Sequence, residues 1–226
     1  MRISVGTTVA TAVAAMVLGA AGPADAAVTT RALWNMESTA SMIDSSGNGN
    51  TGATTAITPA PGVSGQAYRF NGTTSSVRVP SSASLNPGSG ALTVTAKLRF
   101  AFVPSSAVGD YDIVRKGLAA SSGGEYKMEI LPNATRTAGN AFCLFKDASG
   151  TVASIRDTRN LADGAWHTVS CVKSAGAVKV VVDGVTKSKA AALGPISNTA
   201  SLTVGAKAGG GDFYRGDMDE VTITAG

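Results

Sequence analysis

Acid–base chemistry on a sugar needs two carboxyl groups held at a set distance, about 5 Å apart in the retaining case. On one strand that means acids two residues apart. The chain has four glutamates, Glu37, Glu125, Glu129 and Glu220, and none is followed by Asp two positions on. Glu125 and Glu129 share a face of an extended segment but stand about 13 Å apart along it. Asp110 and Asp112 flank Tyr111, and Asp217 and Asp219 lie near the C-terminus. There is no Gly-x-Ser-x-Gly turn to present a nucleophilic serine. The single histidine, His167, precedes Cys171 by four residues. On a strand the two point the same way but sit well over 10 Å apart, too far for a Cys–His nucleophile. His167 is read as a hydrogen-bonded structural residue, and the chain as non-catalytic.

Two other groups of residues invite a ligand. The loop Asp44-Ser45-Ser46-Gly47-Asn48-Gly49-Asn50-Thr51-Gly52 places side-chain oxygens of Asp44 and Asn48 among small residues. A hard cation such as Ca²⁺ takes six to eight oxygens, and tight glycine turns bring carbonyls inward. The plain alternative is a polar turn in which Asp44 and Asn48 bond to the backbone. The loop is not an EF-hand, lacking the repeated acids and the final Glu. For an organic ligand the aromatics in loop-like contexts are Tyr111, within Asp110-Tyr111-Asp112, and Phe213 and Tyr214, which follow Gly209-Gly210-Gly211-Asp212. An exposed aromatic beside Asp212 makes a sugar platform with a polar neighbour. Trp34 and Trp166 are assigned to the core, where their large apolar area counts most.

These residues need a scaffold. Of 226 residues 15% are charged and 5% aromatic, while 27 are Gly. Thr, Val and Ala dominate where a helix would want Leu, Glu and Lys. About a dozen short strand-like runs recur, among them Leu92 to Phe100, Glu125 to Ile130, Trp166 to Lys173 and Met218 to Thr224. Glu125, Lys127 and Glu129 alternate with Tyr126, Met128 and Ile130, a half-buried strand of period two. Asp183-Gly184 between Val182 and Val185 is a type I′ hairpin signal. Many strands, tight turns and no helical period predict an all-β sandwich or barrel.

Residues 1–26 read as an export signal: Arg2, an apolar run from Val9 to Ala21, and a small-x-small cut after Ala26. The remaining chain, 27–226, is read as one domain, secreted and extracellular. Export makes Cys143 and Cys171, both in strand-like runs, a disulfide if their strands are neighbours. The net charge of +4 is dispersed. Lys173, Lys179, Lys187 and Lys189 are read as solvated strand faces, and nucleic acid is excluded as a partner.

Several segments occur in an order that carries a resemblance: Ala32-Leu33-Trp34, Asp44 to Gly52, Gly65-Gln66-Ala67-Tyr68-Arg69-Phe70-Asn71-Gly72, Asp163-Gly164-Ala165-Trp166-His167, and Gly216-Asp217-Met218-Asp219-Glu220-Val221. The chain resembles the laminin-G-like, concanavalin A-like domains of secreted bacterial proteins. The resemblance implies a two-sheet antiparallel jelly-roll sandwich, often with one structural calcium and a carbohydrate-binding role. Since the ends of a jelly roll often lie close, Asp219 becomes the partner of Asp44 and Asn48 around that calcium, with Asp217 as substitute. The expectation is a secreted, monomeric, non-catalytic module that binds a polysaccharide or other glycan through Tyr111, Asp212, Phe213 and Tyr214. An extracellular protein-interaction module and a polysaccharide-degrading enzyme are the alternatives.

Overall fold

The computed structural model describes Met1 and residues 27–226, so the export segment lies outside the described residues apart from Met1. Fifteen strands follow in order: β1 (Thr29–Trp34), β2 (Ala53–Thr55), β3 (Thr58–Pro61), β4 (Gln66–Asn71), β5 (Ser76–Val79), β6 (Leu92–Arg99), β7 (Tyr111–Lys116), β8 (Glu125–Pro132), β9 (Gly139–Lys146), β10 (Val152–Arg156), β11 (Trp166–Lys173), β12 (Ala177–Val182), β13 (Val185–Ala190), β14 (Leu202–Val204) and β15 (Arg215–Ala225). Among the described residues a single 3₁₀ turn, Ala83–Leu85, interrupts the β pattern. No helix among the described residues is long and apolar enough to cross a membrane.

The strands form two antiparallel sheets, a jelly-roll sandwich. Sheet one runs β13-β12-β11-β6-β15-β4-β3, with β1 also paired to β15; sheet two runs β10-β9-β8-β7-β14-β5-β2. Alternation sets which side chains meet in the middle. In β6, Leu92, Val94, Ala96 and Leu98 are buried, while Thr93, Thr95, Lys97 and Arg99 face outward. The short strands β2 and β3 escaped the sequence reading. Both are edge strands, and β3 carries Pro59 and Pro61, which lack the N–H a central strand must donate. The Asp183-Gly184 hairpin forms as expected, with φ of +48° and +79°.

Trp34, Tyr68, Tyr126 and Tyr214 fill the core. Each buried polar tip is satisfied: Trp34 Nε1 donates to the Asn50 carbonyl at 2.8 Å, and Tyr126 Oη to that of Leu85 at 3.0 Å. Four rings, Phe70, Phe100, Tyr111 and Tyr214, meet tilted or edge-to-face at centroid distances of 5.6–6.2 Å. Two lysines point inward as well. Lys116 Nζ donates to the carbonyls of Asn198 and Ala200, and burial pulls its pKa down to about 8. Lys173, expected on a solvated face, is buried and caps the Ser89 and Gly90 carbonyls. A long apolar stem that delivers three donors to loop carbonyls is a stable use of an inward lysine.

Cys143 and Cys171 are joined, with 5.4 Å between their Cα atoms. Their strands are not neighbours in one sheet. Cys143 is on β9 and Cys171 on β11, so the bond crosses the core and ties sheet to sheet. Packed sheets usually stand about 10 Å apart, so the bridge marks a local pinch. Closing 28 residues of sequence separation limits the unfolded chain. We expect the double substitution Cys143→Ala/Cys171→Ala to cost about 3 kcal/mol in urea unfolding, with the m-value increased because the denatured chain expands.

Candidate functional site

The inner faces are closed by packing, which leaves chemistry to the outer faces. On the outer face of sheet two, Thr203 of β14 lies between Arg78 of β5 and Arg115 of β7 in cross-strand register. The loops Gly117–Ser121 and Lys207–Phe213 rise on either side, and the groove between them has a volume of about 510 Å³. Its lining combines Phe213 and Leu118 with the hydroxyls of Ser76, Ser121 and Thr203 and the cation of Arg78. Thr203 is 8% exposed, and its Oγ1 has no hydrogen-bond partner. A buried hydroxyl without a partner costs roughly 1–3 kcal/mol unless something polar reaches it.

Beside the groove lies a buried charge cluster. Arg115 Nη1 reaches Asp112 Oδ2 at 3.0 Å and Glu129 Oε1 at 3.6 Å, and Nη2 reaches Glu125 Oε2 at 3.1 Å. Lys127 pairs with Glu129, and Glu129 stands opposite Asp112 in the β7–β8 register. Burial, followed by the charge of Asp112, raises the Glu129 pKa; Asp112 is raised by burial too, against the opposing pull of Arg115. Three carboxyls, Asp112, Glu125 and Glu129, thus meet the two cations Arg115 and Lys127 away from water, where charge must be matched within the cluster. The sequence reading paired acids within one strand and so missed this pair. Asp112 and Glu129 are partners in the β7–β8 register. The alternation in β8 was the available signal, since it put Glu125, Lys127 and Glu129 on one face.

The aromatic candidates separate by face. Tyr111 and Tyr214, at 3% and 0% exposure, are core residues, which corrects their assignment as sugar platforms. Strand alternation turns Tyr111 inward and Asp112 outward, while in the loop before β15 Tyr214 is buried and Phe213 lines the groove. The Tyr214 hydroxyl is spent on the Asp217 carbonyl at 3.0 Å. Asp212 sits in the same loop, 3.5 Å from Lys207, and its carbonyl accepts from the Asp112 N–H at 2.9 Å. That bond holds the Phe213 loop to β7.

The proposed calcium ligands do not form one donor set. Asp44 accepts from the N–H groups of Leu33, Ser46 and Asn50 at 2.8–3.0 Å. These bonds outweigh its burial and lower its pKa. The Asn48 amide donates to the Thr30 carbonyl and Ser46 Oγ. Asp219 instead accepts from Val63 and Glu220, and burial raises its pKa. Leu33 pairs with Thr222, three residues past Asp219, so the two carboxylates are separated by about 10 Å of strand. Ligands at 2.3–2.6 Å from one Ca²⁺ cannot span that gap. Asp217 is occupied by Arg69 and Arg99. Among the described residues no group of three or more His, Cys, Asp or Glu could hold a metal. His167 bridges Asp183 and Asp163 at 2.8 and 3.0 Å, a structural role. Trp166, assigned to the core, lies on the outer face of sheet one beneath the Arg99 guanidinium, 4.7 Å from its ring.

Two outcomes follow from these geometries. Asp44→Ala strands three backbone N–H groups and should cost about 2 kcal/mol in denaturant unfolding, by the same amount in calcium and in chelator. Asp110 Oδ1 is buried without a partner. Burial and the carboxylates of Asp212 and Asp112 raise the Asp110 pKa to about 6. A carboxyl whose folded pKa is raised holds its proton more tightly when folded, so stability declines as pH rises from the unfolded value of about 4 through 6. Asp110→Asn should therefore melt higher than the parent at pH 7.5 and match it at pH 4.

Comparison with known proteins places the fold. Binding domains of toxins are among the solved structures it matches. The binding domain of Paraclostridial Mosquitocidal Protein 1 superposes with a TM-score of 0.68 at 16% identity, covering 86% of this chain and 48% of that one. Domain 4 of AbnA, a GH43 extracellular arabinanase from Geobacillus stearothermophilus, solved with arabinotriose, gives 0.63 at 20% identity and covers 88% and 93%. The binding domain of Botulinum neurotoxin DC, solved with rat synaptotagmin II, gives 0.61 at 11% identity and covers 86% and 48%. The chain thus spans about half the length of the toxin binding domains. No curated protein matches its sequence. A family profile matches residues 71–225, from the end of β4 through β15, and by that match the chain belongs to the concanavalin A-like lectin/glucanases superfamily.

Proposed function

We propose that the chain is a secreted, monomeric, non-catalytic module that binds a carbohydrate in the groove on the outer face of sheet two. The groove's lining, one aromatic ring among hydroxyls and an arginine, carries the reading. A saccharide hydroxyl is both donor and acceptor, and suits a lining of hydroxyls. Phe213 supplies an apolar face for a sugar ring, and Arg78 and the serines supply polar contacts around it. With one aromatic in the lining, affinity falls in the micromolar to millimolar range, about −4 to −8 kcal/mol.

The buried cluster supports binding over catalysis. Asp112 and Glu129 are each 1% exposed, and their charges are matched by Arg115 and Lys127. A general acid must touch the leaving oxygen, and these carboxyls touch only each other and their cations. They act instead as a rigid plate beside the groove. The disulfide fits an oxidising compartment outside the cytosol. The relatives favour binding as well: the arabinanase domain was solved with arabinotriose, a sugar ligand. A protein ligand is the competing reading, because the neurotoxin domain was solved with synaptotagmin II.

Sedimentation with insoluble cellulose, chitin, xylan and arabinan distinguishes them. The parent should be retained on at least one, Phe213→Ala about tenfold less, and retention should be unaffected by chelator. Retention on none, with no reducing ends released, sides with a protein ligand. Release of reducing ends would restore the enzyme.

A further inference from the structure

A second groove, on sheet one, is built differently. It has a volume of about 450 Å³ and lies at the end of the sheet where β4, β6 and β15 meet. Arg69, Asp217 and Arg99 stand side by side in register on the outer face, and Arg215 is two residues further along β15. Arg215 is therefore about 7 Å from Asp217 along the strand. Three guanidiniums surround one carboxylate. Asp217 Oδ1 accepts from Arg69 at 2.8 Å and Oδ2 from Arg99 at 2.8 Å. The nearest other acid in sequence to the lining, Asp163, is turned to His167. Arg215 has no ion-pair partner among the described residues, so the groove carries two uncompensated positive charges.

The cations are also held in place. The Arg215 guanidinium lies 3.6 Å from the centroid of the Phe102 ring, and Arg99 stacks on Trp166. Stacking on an aromatic face leaves the in-plane N–H fork of Arg215 free to point at an acceptor, whereas Arg69 and Arg99 turn Nε and Nη2 to Asp217 and keep Nη1 for a ligand. Beneath Arg215 is Gly72, where a Cβ would come within 2.9 Å of the arginine Cβ, so the stem passes over the one residue type that admits it. Arg99 Nη2, the nitrogen that pairs with Asp217, also donates to the Pro61 carbonyl. Phe102, 51% exposed, offers its remaining surface at the rim.

We propose that this groove is a second binding site, for the oxyanion of an acidic polysaccharide, with Arg215, Arg69 and Arg99 as the recognising groups. A forked, planar donor set fits a carboxylate or a sulfate ester equally. The footprint is one cluster, whereas a nucleic acid engages a line of six to ten phosphates in typical complexes. A saccharide that carries one acidic group per ring places a single oxyanion here and lays an apolar ring face on Phe102.

Affinity electrophoresis in gels containing polygalacturonate, dextran sulfate or neutral dextran tests this. The parent should be retarded by at least one acidic polymer and not by dextran, and 0.5 M salt should abolish the retardation. Polygalacturonate alone identifies a uronate carboxylate, dextran sulfate alone a sulfate ester, and both a general oxyanion site. Arg215→Ala and Arg69→Ala, exposed positions that leave the core intact, should each weaken retardation about fivefold. Lys189→Ala, which removes an exposed charge elsewhere, should leave it unchanged. The proposal is overturned if no acidic polymer exceeds dextran, if the arginine variants behave as the parent, or if Lys189→Ala weakens binding equally.

Discussion

An extended chain sends adjacent side chains to opposite faces, and a sandwich closes one of each pair of faces with apolar packing. That constraint governs the molecule. It puts Ile130, Met128 and Tyr126 inside and Glu129, Lys127 and Glu125 outside on a single strand. It also explains why chemistry accumulates on outer faces and why any charge there must either reach water or find a partner. Where the loops Gly117–Ser121 and Lys207–Phe213 cover part of sheet two, water is excluded, and the charges of β7 and β8 pair among themselves. The same alternation on sheet one leaves Arg69, Arg99 and Asp217 under a thinner cover, and there the cations keep part of their solvent access.

The two grooves therefore differ in kind. In one the charge is closed over and paired within the cluster, and what remains for a ligand is a set of hydroxyls, a ring and Arg78. In the other the charge is left in excess on stacked guanidiniums. Two loops are held by carboxylates that accept backbone N–H groups: Asp44 for the Ser46–Asn50 turn, Asp219 for the amide of Val63. A carboxylate bonded to several N–H groups has its charge satisfied by dipoles, which accounts for the lowered Asp44 pKa despite burial.

The sandwich was legible because strand period and turn chemistry are local. Leu92 to Arg99 alternates without a fault, and Asp183-Gly184 turns as its residue types require. The half-cystine partners were legible from compartment and number, though not that they bridge opposing sheets, because that depends on how β9 and β11 stack. Phe213 could be read from its glycine-rich approach. Tyr214, one residue on, could not be told from it, since inward or outward is decided by how the loop before β15 bonds to Asp112 and Gly205. The Asp112–Glu129 pair needed the register of β7 on β8, a relation shifted by a bulge between Asp112 and Val114. Distance along one strand says nothing about distance across two.

The pairing of Thr29 with Ala225 brings the first and last strands into one ladder. The polypeptide thus enters and leaves at a single point, at the opposite end of β15 from Arg215, some 33 Å away at the usual rise. A neighbour fused at either end, or a host loop flanking both, would hang the module like a pendant, with the arginine groove at its free tip. For the same reason the β1–β15 ladder tolerates having its direction of reading changed: joining the two ends by a short bridge and opening a distant turn would preserve the paired strands while moving the point of attachment.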